Sequence, residues 1–265
     1  MQSAYKQKVE KEQKAEKLLN SIDDYILDEL GIKIPELKDK MCFAVNSDEV
    51  KNKRINTFYY QPKFKDAESS LKESKYKVEP LKNYIIKIHY GASLKNIYVE
   101  KGIPLLRIQN LKPNRLSLED IVNLPETMRK EVGNAFVNEG DILISRSGSV
   151  GIVAVVPKEA EGFAFGSFMI KFRLKKNINK NYISIWLNNE IAQLFTQREK
   201  IGAIQGNITI STIENFKIPV PPLEIQNKIV SEVKDRMTRA AKLKSEAQNI
   251  IENAKKEVEK IILSK

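Results

Sequence analysis

The feature that most restricts how this chain can fold is a stripe of apolar side chains near its C-terminus. Ile229, Val233, Met237, Ala240, Leu243, Ala247, Ile250, Ala254, Val258 and Ile261 recur at spacings of three and four, with Ile251 beside them, and no proline or glycine interrupts the segment before Lys265. That spacing collects the apolar groups on one side of an α-helix. Pro219-Val220-Pro221-Pro222 forces an extended approach, Pro222 fits a first helical turn without losing a hydrogen bond, and Glu224 complements the positive end of the dipole. About 40 residues at 1.5 Å each make a rod of roughly 60 Å, far longer than the average helix of a compact domain. Such a rod calls for a partner helix in coiled-coil fashion.

One partner lies at the other end of the chain, where Ala15, Leu18, Leu19, Ile22, Tyr25, Ile26 and Leu30 form an apolar face that stops at Gly31, a good residue to end a helix. The rod pairs either with this helix or with a second copy of the chain, and the alternative is that each helix packs on its own globular domain. Because the N-terminal face is only about half as long as the C-terminal stripe, the uncovered half is expected to meet the equivalent helix of a second copy, giving an antiparallel homodimer.

Between these helices the periodicity changes to short β-rich runs separated by Gly, Asn and Pro. The expected strands are Leu81–His89, Pro104–Gln109, Asp141–Ser145, Val150–Val156, Phe163–Phe172 and Asn215–Val220, with a hairpin over residues 140–157 and one helix from about Lys180 to Lys200. The fold class is therefore α+β, in three parts: an N-terminal helix (1–40), a globular α+β domain (41–220) and a long C-terminal helix (221–265).

Charge narrows the function. The 265 residues carry a net charge of +11, and residues 41–224 hold 27 basic against 19 acidic side chains. Excess of that kind either serves solubility or meets a polyanion, with nucleic acid ahead of a membrane surface. No run approaches the roughly 18 apolar residues of a spanning helix, and the first residues lack the apolar stretch of a signal peptide, so a cytoplasmic protein is expected. One cysteine, Cys42, and one histidine, His89, cannot build a disulfide scaffold or a zinc site.

Catalytic patterns are missing. The glycines Gly148, Gly151, Gly162 and Gly166 are never followed by the Gly-Lys-Ser/Thr of a phosphate loop. Asp66 with Glu73-Ser-Lys75 fits a metal-dependent nuclease only loosely, since Glu-x-Lys arises readily in so charged a chain. The single Pro-Pro, in Val220-Pro221-Pro222-Leu223, lacks the Asn or Asp and the aromatic of an adenine methyltransferase. A lone His89 in a strand-like run is a packed or surface residue before it is part of a triad. The chain is expected to bind, not to catalyse, and to hold no metal or cofactor itself.

Five segments in order then resemble one family. Lys14-Ala-Glu-Lys-Leu-Leu-Asn-Ser-Ile-Asp-Asp-Tyr-Ile-Leu-Asp-Glu-Leu-Gly31 is similar to the end of a family helix, and Arg54-Ile-Asn-Thr-Phe-Tyr-Tyr-Gln-Pro62 to the entry of a recognition domain. Gly140-Asp-Ile-Leu-Ile-Ser-Arg-Ser-Gly148 and Gln205-Gly-Asn-Ile208 resemble its hairpin and turn, and Phe216-Lys-Ile-Pro-Val-Pro-Pro-Leu-Glu-Ile-Gln226 the passage into its conserved helix. The family is the specificity (S) subunit of type I restriction-modification systems. Members usually carry two recognition domains and two helices, so the resemblance implies either a half-subunit that dimerises or a fragment of a longer chain. The recognition segment of a fused restriction enzyme and a coiled-coil DNA-binding regulator are the alternatives.

The resemblance implies a double-stranded DNA partner, a bipartite target and docking of methyltransferase (M) and restriction (R) subunits, which bring S-adenosylmethionine for N6-adenine methylation, ATP and Mg. Arg, Lys, Gln and Asn present the donors and acceptors that read base edges. The candidate DNA-binding residues are Lys95 and Asn96; Arg107, Gln109 and Asn110; Lys112, Asn114 and Arg115; Arg146, Ser147 and Ser149; and Gln205 with Asn207. Each has a plainer role open to it: an ion pair for Arg107, turn formation for Gln205 and Asn207, hairpin capping for the serines. Arg146 and the Gln205 turn, shared among relatives with different targets, point to phosphate contact or architecture.

Overall fold

A computed structural model of the protein describes residues 2–36, 38–51, 55–95, 97–200 and 206–263, without the side chains of 261 and 262. The chain divides into two units: the terminal segments up to Glu29 and from Asn227, and the intervening Leu30–Gln226. The first unit holds α1 (Gln2–Leu30) and most of α8 (Leu223–Leu263). The second contains α2 (Ser47–Val50), α3 (Pro62–Lys72), β1 (Val78–Pro80), β2 (Ile85–Tyr90), β3 (Ile103–Leu106), β4 (Leu111–Lys112), β5 (Arg115–Leu116), β6 (Val122–Leu124) and α4 (Arg129–Val132). It continues with β7 (Ile142–Ser145), β8 (Val153–Val155), β9 (Ala164–Phe165), β10 (Met169–Leu174), α5 (Lys180–Asn188), α6 (Glu190–Glu199), α7 (Ile210–Glu214) and β11 (Lys217–Pro219).

The terminal helices pair with each other, antiparallel. Lys11 meets Glu246, Arg236 donates to the Ser21 carbonyl at 2.7 Å and its hydroxyl at 2.9 Å, and Lys228 meets Glu29 at 2.7 Å. In each pair the residue numbers add to the same total, which is what two antiparallel helices in one register produce. Ala15, Ala240 and Ala247 are fully buried, and side chains this small let helix axes approach closely. The Arg236 guanidinium also lies 4.6 Å over the Tyr25 ring. Burial, then the nearby Glu29 carboxylate, raise the Tyr25 hydroxyl above its ordinary pKa.

The N-terminal helix, expected within 1–40, ends at Leu30, and it extends well before the apolar face that starts at Ala15, because the Lys- and Glu-rich segment there consists of good helix formers with a Lys8–Glu12 pair one turn apart. It therefore follows α8 at least as far as Glu246, so one chain covers more of the C-terminal stripe than the face from Ala15 to Leu30 alone would. Of the C-terminal stripe, Ile229, Val233, Ala240 and Ala247 are buried, while Met237, Leu243, Ile250, Ile251, Ala254 and Val258 are partly covered. The Ile261 side chain lies outside the described residues.

In the second unit a four-stranded antiparallel sheet has the order β2-β10-β7-β8. Its inner strand β7, Ile-Leu-Ile-Ser, is buried at every position, as expected where both faces of a sheet are covered. α5 covers the β8 edge, where the Asn188 side chain accepts from Val153 N–H at 3.1 Å and donates to its carbonyl at 2.8 Å, satisfying the edge strand's backbone. Trp186 and Tyr182 of the same helix donate to the carbonyls of Lys217 and Pro219, tying it to β11, which pairs with β1. A three-stranded sheet, β6-β3-β9, shares a core with β7 and β8 through Leu105, Leu106, Leu124, Leu143, Ala154 and Phe165.

The hairpin forms as expected from β7 and β8, and Gly151 is required in its turn: its φ is +93°, and a Cβ there would lie 2.7 Å from the Thr196 methyl. Other boundaries shift for local reasons. Residues 81–83 make a 3-10 turn before β2, and β3 ends at Leu106 because the Asn110 side chain captures the Arg107 N–H and folds 108–110 into another such turn. The run 163–172 splits into β9 and β10 at a tight turn closed by Met169 N–H to the Gly166 carbonyl. The strand expected over 215–220 spans only 217–219. The helix expected over 180–200 breaks at Asn189, whose side chain accepts from Ile191 N–H and caps α6.

A buried charge locks the sheet. Asp141, wholly buried, meets Arg173 at 2.6 Å and Lys171 at 3.3 Å and accepts the Asn138 N–H at 2.9 Å. His89 pairs across the sheet with Lys171; its Nε2 is buried with no hydrogen-bond partner among the described residues, and burial, with the cations Lys87 and Lys171, lowers its pKa.

Candidate nucleic-acid interface

Four loops of the second unit converge on one patch. Gly91 starts the first: a Cβ there would lie 2.1 Å from the Gly166 carbonyl oxygen, so only glycine lets the two backbones meet. Ala92 N–H then bonds the Phe165 carbonyl, and Val99 N–H the Asn123 carbonyl, pinning the loop that carries Lys95 and Tyr98. The second loop is the turn after β3, with Arg107 and Gln109. The third is the β7–β8 hairpin turn, where a Cβ on Gly148 would come 3.6 Å from the Ile108 side chain and Arg146 N–H bonds the Phe168 carbonyl. The fourth is the Gly166–Met169 turn itself, which holds Phe168 48% exposed. Ile208 N–H bonds the Arg146 carbonyl and Ser147 bridges Asn207, which brings the 206–208 segment alongside.

Two arginines of this patch lie on tyrosine rings. The Arg146 guanidinium sits 4.8 Å from the Tyr90 ring centre and Arg107 5.8 Å from that of Tyr98. Arg107 donates to the Asp120 carbonyl at 2.7 Å. Neither meets a carboxylate among the described residues, and the buried Nε of each has no partner. Stacking fixes the planar group while leaving its charge uncompensated by a nearby acid, the state suited to a phosphate or a base edge. Lys95, Arg107 and Gln109 line one cavity of about 240 Å³ together with Tyr98, Ile108 and Phe168.

The other candidates are placed differently. Asn110 is buried, donating to the carbonyls of Ser117 and Glu119 while accepting from Arg107 N–H, so its side chain shapes the loop. Asn114 takes a positive φ of 62° and accepts from Ser184 and Asn188, fastening the β4–β5 turn to α5. Lys112 and Arg115 are exposed on that hairpin, away from the cavity lining. Ser147 is buried, and Ser149 is exposed with its carbonyl accepting from Ser145. Asn96 and Gln205 lie outside the described residues. Sequence reasoning missed Tyr90, Tyr98 and Phe168; the local signals were Tyr90 directly before Gly91 at the end of β2 and Phe168 two residues after Gly166, and Tyr98 carried none.

A larger cavity of about 780 Å³ lies elsewhere in the same unit, between α3, α6 and α7. Its Arg198 also stacks on a tyrosine, 4.4 Å from the Tyr59 ring centre, but it is paired with Glu68. No group of metal-ligating side chains occurs among the described residues, and none of their helices is long and apolar enough to cross a membrane.

Residues 73–253 match the family profile of the type I restriction modification DNA specificity domain. The MjaX type I restriction enzyme specificity subunit of Methanocaldococcus jannaschii is 25% identical over 207 residues, covering 76% of this chain and 46% of that protein. The EcoEI specificity subunit of Escherichia coli is 30% identical over 119 residues, 43% of this chain and 20% of that protein. The chain thus spans less than half the length of these relatives. Its fold is similar to a chain from a structure of a type I restriction-modification system (TM-score 0.60, 16% identity, 100% of this chain and 55% of that one). It is also similar to the S subunit of M. genitalium (TM-score 0.53, 13% identity, 94% and 54%).

Proposed function

Since the chain belongs to the type I restriction-modification DNA specificity family, we propose that it recognises a DNA sequence and directs catalytic partners to it without catalysing a reaction itself. The observation that carries this reading is the patch with two stacked, acid-free arginines. Phosphates supply the missing counter-charge, and Gln109, Lys95 and the guanidinium donors of Arg107 and Arg146 that are not spent within the chain face base edges once phosphate contacts have set the register.

The helix pair of the first unit is the docking platform for M subunits, which hold the S-adenosylmethionine for N6-adenine methylation; R subunits add ATP- and Mg-dependent translocation and cleavage. A second recognition domain makes the target bipartite. If a second copy supplies it, an antiparallel homodimer uses faces of α1 and α8 outside their mutual seam and reads inverted half-sites. Light scattering tests this arm: a mass of twice 30.3 kDa supports the homodimer, and a single-chain mass in the presence of M subunits rejects it.

Binding of labelled duplex DNA to the purified chain between about 50 and 200 mM salt tests the central reading. Six or more phosphate contacts make affinity fall by orders of magnitude over that range. A flat response, or turnover of DNA by the chain alone with Mg and S-adenosylmethionine, rejects it.

A further inference from the structure

Phe168 is an aromatic ring held half exposed among cations, and the turn that carries it is rigid. Met169 N–H closes the turn on the Gly166 carbonyl, Gly166 N–H bonds Leu106, Arg146 N–H bonds the Phe168 carbonyl, and Gly91 N–H bonds the Met169 carbonyl. Four backbone hydrogen bonds therefore keep a large apolar group facing water, where leaving it is unfavourable. The same bonds put it beside Arg146, and it lines the cavity that Arg107 also lines, with Ala92, Leu94 and Ile108 as an apolar wall. A ring flanked by uncompensated arginines meets a polyanion first, and an intact duplex exposes one apolar group in its major groove, the thymine 5-methyl.

We propose that Phe168, with the wall formed by Ala92, Leu94 and Ile108, is a specificity-determining contact that selects thymine at one position of the target through its 5-methyl group. Gln109, on the rim of the same cavity, has the donor and acceptor pair that matches the adenine opposite. This rests on the DNA-recognition reading and assigns one base pair of it to named residues.

The test begins by selecting duplexes from a random-sequence pool with the full-length chain, adding M subunits if it retains none alone, and then replacing each thymine of the selected site by deoxyuridine, one at a time. At one position the wild type should lose about four-fold in affinity, the effect of about 0.8 kcal/mol for one buried methyl group. Phe168→Ala should bind thymine and uracil alike there while keeping the salt dependence of the wild type, and Phe168→Leu should retain part of the preference. Thermal unfolding of each variant verifies that it is folded. Uracil tolerated at every thymine, a selected site without thymine, or a Phe168→Ala variant that weakens thymine and uracil duplexes equally overturns the inference and leaves DNA recognition standing. A chain that retains no duplex even with M subunits overturns recognition itself.

Discussion

Arg146 and Arg198 occupy the same local setting and have opposite surroundings. Each guanidinium lies over a tyrosine ring in the second unit, at 4.8 and 4.4 Å from its centre, yet Arg198 is paired with Glu68 and Arg146 with no acid among the described residues. Arg173 extends the series, since it is bound to a wholly buried Asp141. A compensated arginine has spent its charge inside the protein, whereas an uncompensated one keeps it for a partner. The location of unspent charge, more than the net +11, is what singles out the patch around Phe168 as the candidate interface over the larger cavity at Arg198.

The largest test of that distinction is at the buried end. Asp141→Ala strips the half-exposed Arg173 and the buried Lys171 of their counter-charge, and removing one partner of a buried pair such as Lys171–Asp141 costs about 3–5 kcal/mol, so the urea midpoint should drop sharply. A midpoint unchanged from wild type would mean that the buried pair contributes no stability.

Arg146→Ala comes next. It should weaken duplex DNA binding by about 10- to 100-fold, on the scale of 1–3 kcal/mol per specific contact, with little effect on unfolding. If it holds a phosphate, all sequences weaken alike and the salt slope falls by about one contact; if it reads a base, discrimination at one position relaxes. Arg198→Ala should do the reverse, lowering stability by about 1 kcal/mol through loss of the stack and the Glu68 pair while DNA affinity stays within about two-fold. A DNA defect in Arg198→Ala equal to that of Arg146→Ala would erase the comparison.

The smallest effect concerns pH. Burial beside Lys87 and Lys171 lowers the His89 pKa from its ordinary 6.5, so below that pH the unfolded chain takes up a proton that the folded chain resists. The stability His89 contributes is present above pH 6.5 and is lost as pH falls toward its folded value. Urea midpoints at pH 7.5 and 5.5 should differ more for wild type than for His89→Phe.

Much of the architecture was open to inspection in the linear chain because its signals are local. A stripe at helical spacing with no glycine or proline makes α8 wherever it stands, and two β-branched runs around Arg146-Ser-Gly-Ser make the β7–β8 hairpin. The local signals failed where side chains overrule propensity: Asn189 breaks a helix by capping the next one, and Asn110 ends β3 by capturing an N–H. They failed again at α1, whose Lys- and Glu-rich start has too few apolar residues to show a face although it helps to cover α8.

The candidate interface was half legible. Residue type alone marked Arg107, Gln109, Arg146 and Lys95, and the same rule marked Asn110 and Asn114, which turn inward and consume their hydrogen bonds in holding loops together. Composition determined that this protein carries excess positive charge, and periodicity determined that helices flank a mixed domain. Only the tertiary structure decided which arginines keep their charge and which hydrophobic ring stands out with them. Compensation and exposure depend on what lies across space from a side chain, and in this chain Arg198 and its acid Glu68 are 130 positions apart.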